Sequence, residues 1–187
     1  MDKVVIVVIL ALIVTSPFIA QRYVKWQRRP GGDLAKGERR HIRRLLKLQP
    51  GHAVCVEELW LRVLHVATIT DKRPRCRYTL KDGWLLDISI DTRGEYLFRV
   101  FFPFHTYPAE SPRFLDSTVV HAGQTYKEVT RNRTYMSQDG RQRFLEYRRF
   151  EREGEPYALE FVWVDGERTV YWSRLVDPAT LDARDGE

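Results

Sequence analysis

The sequence predicts a mainly β fold behind a membrane anchor. A single transmembrane helix and a short amphipathic helix lead into an antiparallel β-sandwich or barrel-like domain, with two small β units side by side as the variant form. Three observations predict this. Val4 to Ala20 runs seventeen residues without a charge. From Arg22 to Lys47 ten basic residues meet only Asp33 and Glu38. After Pro50 the apolar period shortens from that of a helix to that of a strand, and Asp-Gly pairs interrupt it. The chain divides into a short tail (1–3), an anchor (4–21), a basic juxtamembrane neck (22–50), an antiparallel β domain (51–178) and a polar, frayed C-terminal tail (179–187).

Seventeen apolar residues make a helix of about 26 Å, close to the ~30 Å hydrocarbon core of a bilayer. Tyr23 and Trp26 follow at once, where interfacial aromatic anchors belong. A cleaved signal peptide is the rival reading. A cut after Ala20 would place bulky Phe18 where a small residue is wanted, and a cut after Ser16 would place Pro17 immediately downstream, so the anchor is read as uncleaved. Lys3 is the one basic side chain before the segment, whereas Arg22, Lys25, Arg28 and Arg29 follow it. The positive-inside rule then puts the C-terminal side in the cytoplasm, at a bacterial inner membrane.

The neck carries most of the charge asymmetry. The whole chain has a formal charge of +6, yet residues 48–187 hold 20 basic and 22 acidic residues. Pro30-Gly31-Gly32 is a break, Asp33 is a helix N-cap candidate, and residues 33–48 read as an amphipathic helix. Leu34, Ile42, Leu45 and Leu46 make its apolar stripe, the last three at helical spacing, and it is expected to dip into the headgroup boundary or to pack on the domain. Arg22, Lys25, Arg28, Arg29, Lys36, Arg39, Arg40, Arg43, Arg44 and Lys47 are the residues expected to meet anionic phospholipid headgroups, each worth about 1 kcal/mol near the surface. A solvated face serving only as a topology signal is the plainer alternative. Nucleic acid is not expected as a partner, because the body offers no basic sheet or reader module.

In the body, residues 53–69 offer two strands with an irregular middle. Residues 77–80 and 84–90 flank Asp82-Gly83 as a hairpin, and 96–102 is a strong strand that ends at a proline-rich loop, 103–112. Residues 124–130 and 133–136 read as two short strands, and 143–152 as a strand. The hairpin around Asp165-Gly166 is the clearest in the chain, with Leu159, Phe161 and Trp163 on one face. The two halves echo each other weakly. Phe101, Phe102, Phe104 and Tyr107 cluster at the proline loop, and their opposite parities suggest a rim that contacts an unidentified membrane-associated protein.

Short stretches of the body resemble a known family. These are LQPG (48–51), DGWLLDIS (82–89), HAGQTYKEV (121–129), FLEYRRF (144–150) and YALEFVWVDGERTVYWSRLVDP (157–178). Together they resemble the uncharacterised bacterial family catalogued as domain of unknown function 4178. The resemblance implies an accessory protein near membrane-stress or membrane-remodelling components and gives no catalytic residues. The stretch Arg75-Cys76-Arg77 departs from the pattern, where more tryptophan is expected.

Chemistry-bearing motifs are sparse. The five histidines form no HExxH pair, and no GxSxG elbow, P-loop or dinucleotide fingerprint occurs. His52, Cys55 and Cys76 fall short of a zinc set, and Asp87, Ser89 and Asp91 alternate with isoleucines as a strand does. No cofactor, metal or catalytic residue is expected. The sequence reading is therefore a non-catalytic adaptor or regulator on the cytoplasmic face. Its rivals are a periplasm-facing subunit of an envelope or secretion assembly, which a Cys55–Cys76 disulfide would favour, and a membrane-tethered enzyme.

Overall fold

The computed structural model describes residues 36–71, 75–104 and 112–186. The predicted anchor, with Tyr23, Trp26 and the first four basic residues of the neck, lies outside them, as does Tyr107. No helix among the described residues is long and apolar enough to cross a membrane.

The described chain opens with helix α1 (Lys36–Leu45). Twelve strands follow: β1 (Ala53–Val56), β2 (Leu59–Thr70), β3 (Arg75–Leu80), β4 (Leu85–Ile90), β5 (Tyr96–Pro103), β6 (Arg113–Leu115), β7 (Thr118–His121), β8 (Gln124–Gln138), β9 (Arg141–Glu151), β10 (Ala158–Val164), β11 (Glu167–Val176) and β12 (Asp182–Arg184). All pair antiparallel in one sheet, ordered β12-β1-β2-β3-β4-β5-β11-β10-β9-β8-β7-β6. A further pairing, Ala67–Thr70 of β2 against Tyr135–Gln138 of β8, closes eight strands into a ring. The two halves thus share one barrel, and the variant of separate β units is corrected. Closure removes the unpaired edges that two open four-stranded sheets would expose.

Two-residue turns set the registers. Ala122-Gly123, Asp139-Gly140 and Asp165-Gly166 all have positive φ at both positions, the geometry that matches strand twist, and Asp82-Gly83 share that sign inside a three-residue turn, Lys81–Gly83. Asp165 is also tied to β9: its carboxylate accepts from the Phe144 N–H at 2.9 Å and from Arg143 Nε at 2.7 Å. Those bonds hold its pKa below the ordinary carboxylate value.

Three apolar clusters result. Inside the ring lie Ala67, Ile69, Leu85, Phe101, Met136, Leu145, Tyr147, Val162 and Tyr171. Outside, the wall made by β3, β4 and β5 presents Tyr78, Leu86, Ile88, Phe98 and Val100. This wall is covered by α1, β12, β1 and the start of β2. The opposite wall presents Phe150, Leu159 and Phe161, covered by Val119 of β7 and Tyr126 at the start of β8. The molecule is accordingly a barrel with a short second layer on each of two walls.

Two further expectations are corrected. The residues expected as two short strands, 124–130 and 133–136, belong to one 15-residue strand, Gln124–Gln138, because a register shift between Glu128 and Thr130 bends the strand without ending it. The C-terminal tail is also ordered. Asp177 caps a 3₁₀ turn (Pro178–Thr180), and β12 then pairs Asp182–Arg184 with Ala53–Cys55. Leu181 and Ala183 are buried in the covering layer.

Candidate anion-binding face

Helix α1 is short, and its placement is tertiary. Ile42, Leu45 and Leu46 are 3%, 0% and 3% exposed, packed with Val54, Leu61 and Leu181 over the barrel wall. Of the two expected places for these three, the structure shows packing on the domain, and their assignment to the membrane interface is corrected. The His41 ring Nε2 donates to the Pro178 carbonyl at 2.8 Å, fixing the helix against the 3₁₀ turn. With the stripe so committed, Arg39, Arg40, Arg43, Arg44 and Lys47 all face solvent.

Two of them, Arg44 and Lys47, border a surface cavity of about 290 Å³ lined also by Leu48, Gln49, His52, Ala183, Arg184 and Asp185. The last turn of α1 brings Arg44, the turn just after it brings Lys47, the Gln49–His52 turn brings Gln49 and His52, and β12 brings Arg184. Gly51 holds a φ of 96° in that turn and donates its N–H to the Val63 carbonyl at 2.9 Å, which a side chain at this φ would strain. The Arg184 guanidinium lies 4.4 Å from the Trp60 ring centroid, a cation–π contact that limits where its charge sits. Arg44 comes no closer than 3.9 Å to Asp182, with both side chains more than half exposed, so neither is neutralised by a tight pair. Arg43 also acts on Tyr96 of β5: burial raises the Tyr96 pKa and the nearby Arg43 charge partly offsets it.

Arg44 and Lys47 were legible in the sequence as headgroup residues, but His52 and Arg184 were not placed with them. The missed signal is the alternation Leu181-x-Ala183 directly after a proline turn, which marks a short strand rather than a frayed end.

The predicted aromatic rim divides. Phe101 is fully buried inside the barrel, edge-on to Tyr171 at 5.9 Å, so its expected partner contact is corrected. Phe102 and Phe104 face outward and join a band of rings. Phe102 meets Trp84 at 4.7 Å and Tyr157 at 6.0 Å. Phe104 meets His121 at 5.0 Å and Trp172 at 5.5 Å. Tyr157, 37% exposed, links the two groups through Trp172 at 6.4 Å.

Cys55 and Cys76 are both free thiols. Cys55 pairs with Trp60 and Cys76 with Thr68, eight residues apart along β2. At ~3.3 Å per residue this is about 26 Å, so they form no intramolecular disulfide in this fold and their redox state does not report the compartment. Among the described residues no group of three or more His, Cys, Asp or Glu is arranged to hold a metal ion. No family model, curated protein or solved structure matches the chain.

Proposed function

We propose that this protein is a membrane-anchored, non-catalytic adaptor whose β-barrel is held against an anionic bilayer surface on the cytoplasmic side. The observation that supports the reading is the division of labour in α1. Its apolar stripe is spent on the barrel wall, while Arg39, Arg40, Arg43 and Arg44 face solvent, and Arg44 joins Lys47, His52 and Arg184 in the lining of one cavity. A helix needed only as a topology signal has no reason to bond a C-terminal 3₁₀ turn through His41 and to share a core with Leu181 and Ala183. The uncharged run at 4–20 supplies the tether, and anionic headgroups supply the counter-charge. The outward aromatic band at Phe102 and Phe104 is the surface proposed for a membrane-associated protein partner, and a link to membrane stress or remodelling rests on the family resemblance alone.

The test uses the full chain in lipid nanodiscs. Hydrogen exchange of residues 36–52 is measured in neutral discs and in discs carrying about a quarter anionic phospholipid. Exchange is expected to slow in the anionic discs and to recover near 0.5 M salt, where the Debye length falls to a few ångströms. The triple variant Arg43→Glu, Arg44→Glu, Lys47→Glu is expected to remove the difference. Equal exchange in both discs would sink the headgroup reading. Paired compartment reporters fused after Glu187 test the orientation separately, and a periplasmic signal would transfer the search to envelope assemblies.

A further inference from the structure

One end of the barrel interior is built from charge. Arg75 and Arg77 on β3, Asp87 on β4, Arg99 on β5, Arg149 on β9, Glu160 on β10 and Ser173 on β11 project there. The ladder sets Arg77 opposite Asp87, Asp87 opposite Arg99, and Glu160 opposite Arg149. Side-chain exposure rises from Arg77 at 4% through Arg75 at 13% and Arg99 at 17% to Arg149 at 27%. The four guanidinium groups therefore step outward toward the end where β2 stops and β3 begins.

The carboxylates in this layer are already engaged. Arg77 grips Asp87 with two parallel bonds, Nε to Oδ1 and Nη2 to Oδ2, each 2.7 Å. The Ser173 hydroxyl donates to Glu160 Oε1 at 2.7 Å, and Arg99 Nη1 lies 3.5 Å from the same oxygen. At the rim, Asp71 accepts from the Asn132 amide and the Tyr147 hydroxyl, and Glu151 faces Arg149 Nε at 3.0 Å. Glu160 serves Arg99 and Glu151 serves Arg149, whereas Arg75 and Arg77 share the single carboxylate of Asp87. Burial and the like charge of Arg149 both bear on Arg99, whose pKa is lowered despite Glu160 beside it.

Arg75 is the group this arrangement leaves unfinished. Its Nη1 reaches Asp87 Oδ2 at 3.5 Å, and its plane lies 4.2 Å from the Tyr147 ring centroid. Its Nε and Nη2 are buried and have no hydrogen-bond partner. Those two nitrogens form one edge of the guanidinium and present parallel N–H groups. It is the same edge by which Arg77 holds the two oxygens of Asp87. Buried donors of a charged group without an acceptor are rare and costly. Just outside, two inward-parity positions are apolar, Leu97 opposite Ser89 and Leu175 opposite Arg99, the latter 53% exposed.

We propose that the Nε/Nη2 edge of Arg75 receives the carboxylate of a small aliphatic organic acid entering this end of the barrel. Leu97 and Leu175 meet the aliphatic part. An eight-stranded ring is wide enough to fill with side chains or to hold one small ligand at its mouth. A planar two-oxygen head fits the guanidinium fork, and the apolar rim favours an acid with a short alkyl chain over inorganic phosphate.

The test titrates the full chain, in a neutral detergent and chloride-free buffer, with sodium butanoate. Butanamide is the uncharged control and inorganic phosphate the competing anion. The side-chain Nε–H resonance of Arg75, assigned by its proximity to the Tyr147 ring, reports the site. It is expected to shift and saturate with a Kd on the order of 1 mM, and butanamide is expected to leave it still. Arg75→Lys keeps the charge and loses the fork, so it is expected to weaken butanoate at least about tenfold while the amide spectrum stays native. An Arg75 resonance that does not respond to butanoate overturns the proposal, as does equal affinity in a folded Arg75→Lys. Saturation by phosphate with no response to butanoate overturns the carboxylate assignment. Should the variant not fold, the wild-type resonance decides alone.

Discussion

Glu58 holds a φ of 68° and Glu57 a φ of 50° in the two-residue turn between β1 and β2. The other tight hairpins put glycine second in such turns, and this one puts a residue with a Cβ there. Glu57 has a reason to stay, since its carboxylate pairs with Arg174 across the covering layer. Glu58 has no such contact in the structure. Glu58→Gly is expected to stabilise the protein by about 1 kcal/mol, or raise Tm by about 2–4 °C. A thermal melt checks this, and a lowered Tm would mean that the turn is not strained. The buried Arg77–Asp87 pair makes a second prediction. Asp87→Ala leaves two guanidinium groups facing a site without a carboxylate and is expected to cost about 3–5 kcal/mol. The double variant Arg77→Met, Asp87→Leu is expected to recover most of that loss in urea unfolding, because an ion pair this deep gains little over well-packed apolar groups. A double variant as unstable as the single one would show that Arg77 also serves Glu160 and Tyr171, the other charges it feels.

Among the elements, α1 and β12 stabilise each other, and neither has a core of its own. The helix contributes Ile42, Leu45 and Leu46 to a cluster completed by Leu181 and Ala183 from the C-terminal end. Leu45 is fully buried, so Leu45→Ala is expected to cost about 2–5 kcal/mol and to speed hydrogen exchange in β12 as well as in α1. Faster exchange confined to α1 would separate the two. Which elements were readable follows from the same physics. Strands bounded by Asp-Gly turns and lined by alternating apolar residues were legible, as at 84–90 and 157–175, since both the turn and the period are local signals. Two-residue turns at Glu57-Glu58 and Ala122-Gly123 carry weaker local signals, and β6, β7 and β12 are only three or four residues long. The parity of Phe101 against Phe102 was legible too, but not that both sides of this wall are covered. A sheet with one solvated face has an inside and an outside; this wall has apolar clusters on each. The charged layer at Arg75, Arg77, Asp87 and Glu160 was illegible for a related reason. In sequence these residues alternate with apolar ones as solvent-facing positions do, and only ring closure turns them inward.

Closure also decides how the whole molecule unfolds. The sheet order is nearly a palindrome. The run β1 to β5 in one half answers β7 to β11 in the other, β2 and β8 meet at one seam, and β5 and β11 meet at the second. The register shift between Val63 and His65 in the β2–β3 ladder has its counterpart between Glu128 and Thr130 in the β8–β9 ladder. In both, the bulge lies where the strand leaves its short covering layer and enters the ring. Such correspondence fits two β units, and two units with separate cores would unfold separately. The interior forbids that. Ala67, Ile69, Leu85 and Phe101 of the first half share one cluster with Met136, Leu145, Tyr147, Val162 and Tyr171 of the second. Arg99 reaches across the β5–β11 seam to Ser173 at 3.2 Å, and Asp71 reaches across the β2–β8 seam to Asn132. Each half keeps its outer cluster when the other leaves but loses the interior that the two share. Urea unfolding followed separately through Trp60 and Trp84 in the first half, and Trp163 and Trp172 in the second, is therefore expected to give coincident transitions with equal midpoints. Single-tryptophan variants make the four probes distinguishable. Midpoints that differ between the halves would show that the seams yield before the halves do, and that the ring is a docking of two units rather than one cooperative barrel.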